Sequence, residues 1–257
     1  MSPLLTAFPV EVLTRLQRLQ DDAEAGGLDA AIAIVADCLE SGSVLYAFGT
    51  GHSEAFAMEI AGRAGGFIPT QQIALRDLVL LGNREPSIFA NDVLERDPAI
   101  ADELFDLYEI QAGDALIIAS NSGANGSTVG LALRAKAEGM PVIAVTSLQH
   151  SSAVTSKHPC GKRLFEVADV VIDNRAPYGD ATLELADGLK IGAVSSMTAA
   201  YIAQLLTIGA AETLQARGTL PPMYISANIP GGDEHNDALV ARYGTRIRPY
   251  TRMLETI

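Results

Sequence analysis

Short, almost continuously apolar runs separated by longer segments of helical periodicity constrain the fold of this chain most strongly. Strands that are apolar on both faces are typical of a parallel sheet with helices packed against both sides. We therefore expect an α/β fold: a three-layer α-β-α, doubly wound parallel sheet of about five strands. The strong runs are Ser43–Gly49, Asp114–Ser120, Pro141–Ser147 and Asp169–Asn174, and a weaker run lies within GFIPTQQIAL at residues 66–75.

The division of the chain follows from the same patterns. Residues 1–41 predict a pair of helices separated by Gly26 and Gly27, residues 42–215 predict the α/β core, and residues 216–257 predict a C-terminal extension. We expect residues 182–214 to form a buried helix with a break near Gly192. Residues 83–97 are irregular and predict a loop that reads the ligand. No segment resembles an interdomain linker, so the chain is predicted to be a single domain of 257 residues.

The charge of the chain excludes several classes of partner. A formal net charge of −13 and a pI near 4.6 argue against binding to nucleic acid or to an anionic membrane. No apolar run reaches the length of a membrane span. The two cysteines, Cys38 and Cys160, are too few for a disulfide framework, which suits the cytoplasm. The four histidines have no metal-ligand spacing, so we expect no metal site.

A glycine turn, FGTGHSEAFAMEIAGR, follows the first strong strand. A dinucleotide fingerprint would place a third glycine where Glu54 stands, and it would need a carboxylate about 20 residues further on, which is absent. A phosphate site fits better, because small residues at a strand end expose backbone N–H groups toward an anion. Gly51 and Ser53 are the phosphate-binding candidates in this turn.

A second turn of the same kind, SNSGANGS, follows the next strong strand and contains Ser120, Asn121, Ser122 and Gly123. Ligands of doubly wound sheets bind at the carboxyl ends of the strands, beside a switch point. Two neighbouring turns rich in serine and glycine would therefore converge on one anion. The alternative is that these residues only cap a helix and shape its turn.

The two turns, together with PVIAVTS, GKRLFEVADVVIDN and APYGDATLEL, resemble the SIS (sugar isomerase) domain, the phosphosugar-binding fold of phosphoheptose isomerase. The chain is most similar to the UPF0309 group of SIS proteins. The resemblance spans residues 28–214. It implies that the Ser/Thr-rich loop grips a sugar phosphate through Ser120, Ser122 and either Asn125 or Ser127. Glucosamine-6-phosphate synthase, a member of the family, has threonine where Asn125 stands, so that contact could pass to Ser127 or Thr128. The resemblance also implies that Ser195 and Ser196 line the sugar site.

Sugar isomerisation requires a group that moves a proton between adjacent carbons. The resemblance to phosphoheptose isomerase points to Glu59 as this base, with Glu54 as a rival and a structural ion pair between Glu59 and Arg63 as the alternative. His52 lies within the glycine turn and could shuttle a proton. His235 follows two glycines and could reach the site of the same or a neighbouring subunit, although it could equally belong to the start of a helix.

A basic segment, SKHPCGKR, stands out in this acidic chain. Its Lys157 and Lys162 could neutralise a phosphate or belong to a solvated loop.

These features favour a sugar-phosphate-binding protein that acts as an aldose–ketose isomerase through an enediol, using proton transfer by glutamate and histidine. Two alternatives stay open. One is an etherase-type lyase acting on an amino-sugar phosphate, and the other is a sensor without catalytic activity. The resemblance also implies a homodimer or homotetramer and a reaction that needs no cofactor.

Overall fold

A computed structural model describes residues 2–90 and 94–248. Its central sheet has five strands in the order β2-β1-β3-β4-β5, and every neighbouring pair is parallel. All five runs expected from the sequence are strands, which confirms the predicted fold class. The strands are β1 (Leu45–Gly49), β2 (Thr70–Ile73), β3 (Ala115–Ala119), β4 (Val142–Thr146) and β5 (Val170–Asp173).

The α-helices cover both faces of this sheet. They are α1 (Pro3–Glu24), α2 (Asp29–Glu40), α3 (Glu54–Ile60), α4 (Asp77–Leu80), α5 (Ile100–Asp106), α6 (Gly126–Ala137), α7 (Leu148–Ser152), α8 (Ser195–Ala216) and α9 (Gly232–Val240).

Alternation of side chains along the strands divides the core into two layers. In β1, Leu45 and Ala47 pack in the layer formed with α1, α2, α3 and α8. Tyr46 and Phe48 point to the opposite face, where they pack in the layer formed with α5 and α6. Both clusters consist of buried apolar side chains, so each face of the sheet is removed from water by its own set of helices.

The expectation of a helix over residues 182–214 is wrong for its first third. Strands β6 (Ala181–Glu184) and β7 (Lys190–Ala193) form an antiparallel hairpin there, and α8 begins only at Ser195. The backbone takes positive φ angles at Asp187 (60°), Gly188 (74°) and Gly192 (76°). An α-helix cannot contain that left-handed conformation.

The segment after α8 returns to the core. Met223 forms an isolated antiparallel bridge with Phe67, and Ile247 is 3% exposed. Arg246 donates to the fully buried Asp114 at 2.5 Å. The described part of this segment therefore packs against the core on both faces of the sheet. Residues 249–257 of the expected C-terminal extension lie outside the described residues, as do residues 91–93 of the expected ligand-reading loop.

No helix within residues 2–90 and 94–248 combines the length and the apolar character needed to cross a bilayer.

Candidate functional site

A cavity lined by both polar and apolar side chains lies at the carboxyl end of the sheet, beside the point where the strand order turns back on itself. Strands β2 and β3 lie on opposite sides of β1, so the connections that leave β1 and β3 diverge and open a crevice between them. The cavity encloses about 260 Å³ of empty space, part of it open to solvent. Its lining consists of His52, Ser53, Phe56, Ala119, Ser120, Asn121, Val145, Asn174, Ser195, Ser196 and Ala199.

The turn between β1 and α3 brings His52 and Ser53 to this cavity. A Cβ atom on Gly49 would lie 2.3 Å from the carbonyl oxygen of Ser53, so only glycine allows the chain to fold back this tightly. Gly51 adopts a φ of +56°, another conformation that favours glycine. The Ser53 side chain makes no capping hydrogen bond to α3, which leaves its hydroxyl available to a ligand.

The turn between β3 and α6 supplies the opposite wall. Ser120 is 6% exposed, and its Oγ accepts a hydrogen bond of 3.1 Å from the Gly123 backbone N–H. A hydroxyl that accepts from a backbone N–H keeps its own proton for another acceptor. Ser120 can therefore donate into the cavity. The two turns expected to converge are brought together through His52, Ser53, Ser120 and Asn121.

The orientation of Asn121 is fixed by a chain of hydrogen bonds. The Ala176 backbone N–H donates to Asn174 Oδ1 at 3.0 Å, so Asn174 must turn its amide nitrogen the other way. That nitrogen donates to Asn121 Oδ1 at 3.1 Å. The Nδ2 group of Asn121 is thereby left to donate to a ligand.

The beginning of α8 forms a third wall with Ser195 and Ser196. Asp180, which precedes the hairpin, accepts hydrogen bonds from the Val194 and Ser195 backbone N–H groups at 3.1 and 2.8 Å. It also accepts a bond of 2.7 Å from Ser195 Oγ. Phe56 and Ala199 contribute apolar surface.

The first turn of α6 does not line the cavity, although the sequence analysis expected Asn125 and Ser127 to contact the ligand. Ser127 is fully buried and donates to the Glu95 carbonyl oxygen at 2.6 Å. Asn125 Oδ1 accepts a bond of 3.1 Å from Lys157 Nζ. Ser122 and Gly123 are also absent from the lining. These residues shape the turn and hold neighbouring loops.

The segment that follows residues 91–93 packs on both turns at once. A Cβ atom on Gly126 would lie 2.2 Å from the Arg96 carbonyl oxygen, which shows how closely this segment approaches α6. At the other turn, Glu95 Oε2 lies 3.9 Å from the position that a Cβ on Gly51 would occupy. Among the described residues, Glu95 forms no ion pair. Its carboxylate therefore stands next to the glycine turn without a cationic partner from that part of the chain.

The carboxylates named from the sequence lie elsewhere. Glu59 forms an ion pair with Arg63 and accepts a bond of 2.6 Å from Gln204 Nε2, outside the cavity lining. Glu54 pairs with Arg76 and accepts from Gln72 Nε2 at 2.9 Å. Burial raises the pKa of Glu54.

His235, expected as a catalytic residue, does not line the cavity of its own chain. Its Nε2 lies 3.0 Å from the Met223 carbonyl oxygen, and the residue is absent from the cavity lining. The described part of the chain holds no cluster of three or more histidine, cysteine, aspartate or glutamate side chains arranged for a metal ion.

The sequence analysis did not single out Asn174, which lines the cavity, or Glu95, which stands beside the glycine turn but outside the lining. Asn174 directly follows β5, so the rule that pointed to Ser120, a polar residue at the end of a buried strand, would have found it too. Glu95 lies within the irregular segment expected to read the ligand, but it follows no periodic pattern. No local signal singles it out from the other charged residues of that segment.

The chain is similar to known proteins in sequence. A family model described as the SIS domain matches residues 8–147. A UPF0309 protein from Halalkalibacterium halodurans is 35% identical over 233 residues, which cover 90% of this chain and 93% of that protein.

Two solved structures, both of phosphoheptose isomerases, share the fold. The protein from Neisseria gonorrhoeae matches with a TM-score of 0.50 and 17% identity, covering 82% of this chain and 99% of the other. The protein from Francisella tularensis matches with a TM-score of 0.51 and 14% identity, covering 81% of this chain and 100% of the other. At such low identity, the likeness extends to the fold alone.

Proposed function

This chain belongs to the SIS domain family, and from that premise we propose that it binds a sugar phosphate and catalyses its aldose–ketose isomerisation. The observation that carries the proposal is the convergence of two strand-end turns, through Ser53 and Ser120, on one cavity at the switch point of the sheet. Sugar phosphates are the probes suggested by the two phosphoheptose isomerases that share the fold.

Phosphate recognition in this proposal uses neutral donors. The hydroxyls of Ser53 and Ser120 and the Asn121 amide can each donate one or more hydrogen bonds to phosphate oxygens. No lysine or arginine occurs among the described residues of the lining. Hydrogen bonds to a charged acceptor are stronger than those between neutral groups, so a site of this kind can hold an anion despite the net charge of −13.

Proton transfer in the proposal is assigned to His52 and Glu95. His52 is the only side chain among the described lining residues of a type that gains and loses a proton near neutral pH. The Glu95 carboxylate stands beside Gly51, one residue before His52. One of the two groups removes the proton from the carbon next to the carbonyl, which gives an enediol. A proton returned to the adjacent carbon, together with proton exchange between the two oxygens, completes the isomerisation without an external oxidant.

Solvent-exchange NMR tests this function. The protein is incubated in heavy water with a panel of pentose, hexose and heptose phosphates, and proton spectra follow the carbon adjacent to the carbonyl. We expect one sugar phosphate to lose that proton signal while its isomer accumulates. The unphosphorylated form of the same sugar serves as the control and should show no exchange.

Two other results have definite meanings. Tight binding of a sugar phosphate without exchange or turnover would contradict the isomerase and support the sensor. Elimination of a substituent after exchange would instead support the lyase. If no member of the panel binds, the assignment of the cavity to sugar phosphates is wrong.

A further inference from the structure

The hydrogen bonds of Asp180 fix the direction of the Ser195 hydroxyl. Asp180 Oδ1 accepts from the Val194 and Ser195 backbone N–H groups, and Asp180 Oδ2 accepts from Ser195 Oγ at 2.7 Å. An ionised carboxylate has no proton to donate. The proton of the Ser195 hydroxyl therefore points at Asp180, and the remaining lone pairs of Oγ are left to accept hydrogen bonds.

This arrangement gives the cavity two chemically different sides. On the β3 side, Ser120 and Asn121 have free donors, because their oxygens already accept from Gly123 and Asn174. On the α8 side, Ser195 lines the same cavity but offers an acceptor. A phosphate, which mostly accepts hydrogen bonds at neutral pH, suits the first side only. The second side suits a group that donates.

The negative charge of Asp180, next to Ser195, indicates which kind of donating group the ligand carries. Asp180 forms no ion pair with a lysine or arginine of the described residues. No lysine or arginine from that part of the chain neutralises its negative charge, and burial lowers the pKa of the neighbouring His150, which favours the neutral imidazole. The Asp180 carboxylate therefore polarises the Ser195 hydroxyl through their hydrogen bond. A protonated amine gains from this charge and has only donors to satisfy, whereas a sugar hydroxyl gains little.

We propose that Ser195, oriented by Asp180, forms an acceptor subsite for the protonated amino group of an amino-sugar phosphate, with Asp180 as a positioning residue. The proposal rests on the assignment of the cavity to sugar phosphates and names the substrate class within it. It places the phosphate at Ser120 and Asn121 and the amino-bearing carbon near the beginning of α8.

The substitution Asp180→Asn reverses the hydrogen bond without changing the size of the side chain. The amide oxygen must face the two backbone N–H groups, so the amide nitrogen faces Ser195 Oγ and donates to it. The Ser195 proton then turns toward the cavity, and the acceptor becomes a donor. Asparagine also tolerates the φ of +70° at this position.

A matched control is available in the same hairpin. Asp187 also adopts a positive φ, of 60°, and it does not line the cavity. Asp187→Asn therefore removes one negative charge from the hairpin and places the same new residue in a similar backbone conformation. Thermal unfolding of both variants shows whether either change disturbs the fold.

The test is isothermal titration of two ligand pairs: glucosamine 6-phosphate against glucose 6-phosphate, and mannosamine 6-phosphate against mannose 6-phosphate. In the wild-type protein we expect the amino member of the better-binding pair to bind about tenfold more tightly, the size of one charge-assisted hydrogen bond. Asp180→Asn should abolish this preference, and Asp187→Asn should retain it. A loss of structure alone would weaken both members of a pair and leave their ratio unchanged.

The outcomes separate this inference from the proposed function. If neutral and amino sugars bind equally to the wild type, or if Asp180→Asn keeps the preference, the subsite proposal is wrong while the phosphosugar assignment stands. If none of the four ligands binds, the subsite proposal fails, whereas the phosphosugar assignment fails only if the pentose and heptose phosphates of the panel do not bind either.

Discussion

At the scale of single residues, the proposed isomerisation depends on which carboxylate can reach the cavity. Glu54 and Glu59 are both engaged: the first pairs with Arg76 and the second with Arg63. Glu95 has no such partner among the described residues and stands beside Gly51. Moving Glu54 or Glu59 toward a bound ligand would break an ion pair, whereas Glu95 has no such bond to lose among the described residues.

Substituting the two glutamates separates their roles. We expect Glu95→Gln to lower kcat by about 10²-fold or more, the usual contribution of a general acid or base, with sugar-phosphate affinity nearly unchanged. Glu59→Gln should keep most of the turnover, since that side chain is held by Arg63 and Gln204. It should also weaken the fold by at most about 1 kcal/mol, because its ion pair with Arg63 is partly exposed.

Steady-state kinetics and chemical denaturation of both variants provide the measurement. Full activity of Glu95→Gln combined with an inactive, folded Glu59→Gln would restore the base inferred from the sequence and remove Glu95 from the mechanism.

Sequence reasoning found the serines more readily than the carboxylates. Ser53 and Ser120 could be predicted because each follows a buried strand, and the ends of neighbouring parallel strands meet at one edge. The position of Glu59 also depends on Gln204, 145 residues further along the chain, and no local pattern reveals that contact. Glu95 reaches the glycine turn only through the packing of an irregular segment on α6.

At the scale of secondary structure elements, the five strands could be predicted because burial on both faces leaves a continuous apolar run. The hairpin before α8 was missed, although its turn carries a local signal. Its apolar residues, such as Leu183 and Ile191, with interspersed glycine and alanine, resemble the composition of a buried helix. The turn between them, however, contains Asp187 and Gly188, a dipeptide that favours the left-handed backbone found there and is typical of a hairpin.

The hydrogen bond between α4 and the residue that follows α5 depends on pH. Asp77 at the beginning of α4 is 2% exposed, and its Oδ2 accepts hydrogen bonds from the Ala74 backbone N–H and from the hydroxyl of Tyr108, which follows α5. Its Oδ1 has no hydrogen-bond partner among the described residues. Burial raises the pKa of Asp77 despite these bonds.

The raised pKa of Asp77 determines whether its contribution to folding stability rises or falls with pH. The folded state binds this proton more tightly than the unfolded state, so the stability contributed by the group is complete below about pH 4, the ordinary pKa of aspartate. It is lost as pH rises through the raised value. Asparagine at position 77 stays neutral, so we expect the stability of Asp77→Asn relative to wild type to increase from about pH 4 to about pH 7.

Thermal unfolding at several pH values checks this expectation, with Asp187→Asn, an exposed aspartate on the hairpin, as the control that should show no such trend. A constant difference between Asp77→Asn and wild type across this range would show that Asp77 does not carry the proton.

At the scale of the whole molecule, strand order decides where a ligand can bind. The order β2-β1-β3-β4-β5 places the turns after β1 and β3 side by side, while β4 and β5 bring Val145 and Asn174 to the same cavity. A net charge of −13 does not prevent anion binding, since the donors are local and partly buried. The convergence of the two turns could be predicted from the sequence because it follows from the order of the strands. Which residues of each turn face the cavity could not be predicted in this way.

The most direct measurement of the central claim is isothermal titration of a sugar phosphate into the wild type, Ser120→Ala and Ser122→Ala. Ser122 is the matched control, because it lies two residues further along the same turn and outside the cavity lining. We expect Ser120→Ala to weaken binding about tenfold, the loss of one hydrogen bond to a charged group, and Ser122→Ala to bind within about twofold of the wild type. Unchanged affinity in a folded Ser120→Ala, or the larger loss in Ser122→Ala, would contradict the placement of the phosphate in this cavity.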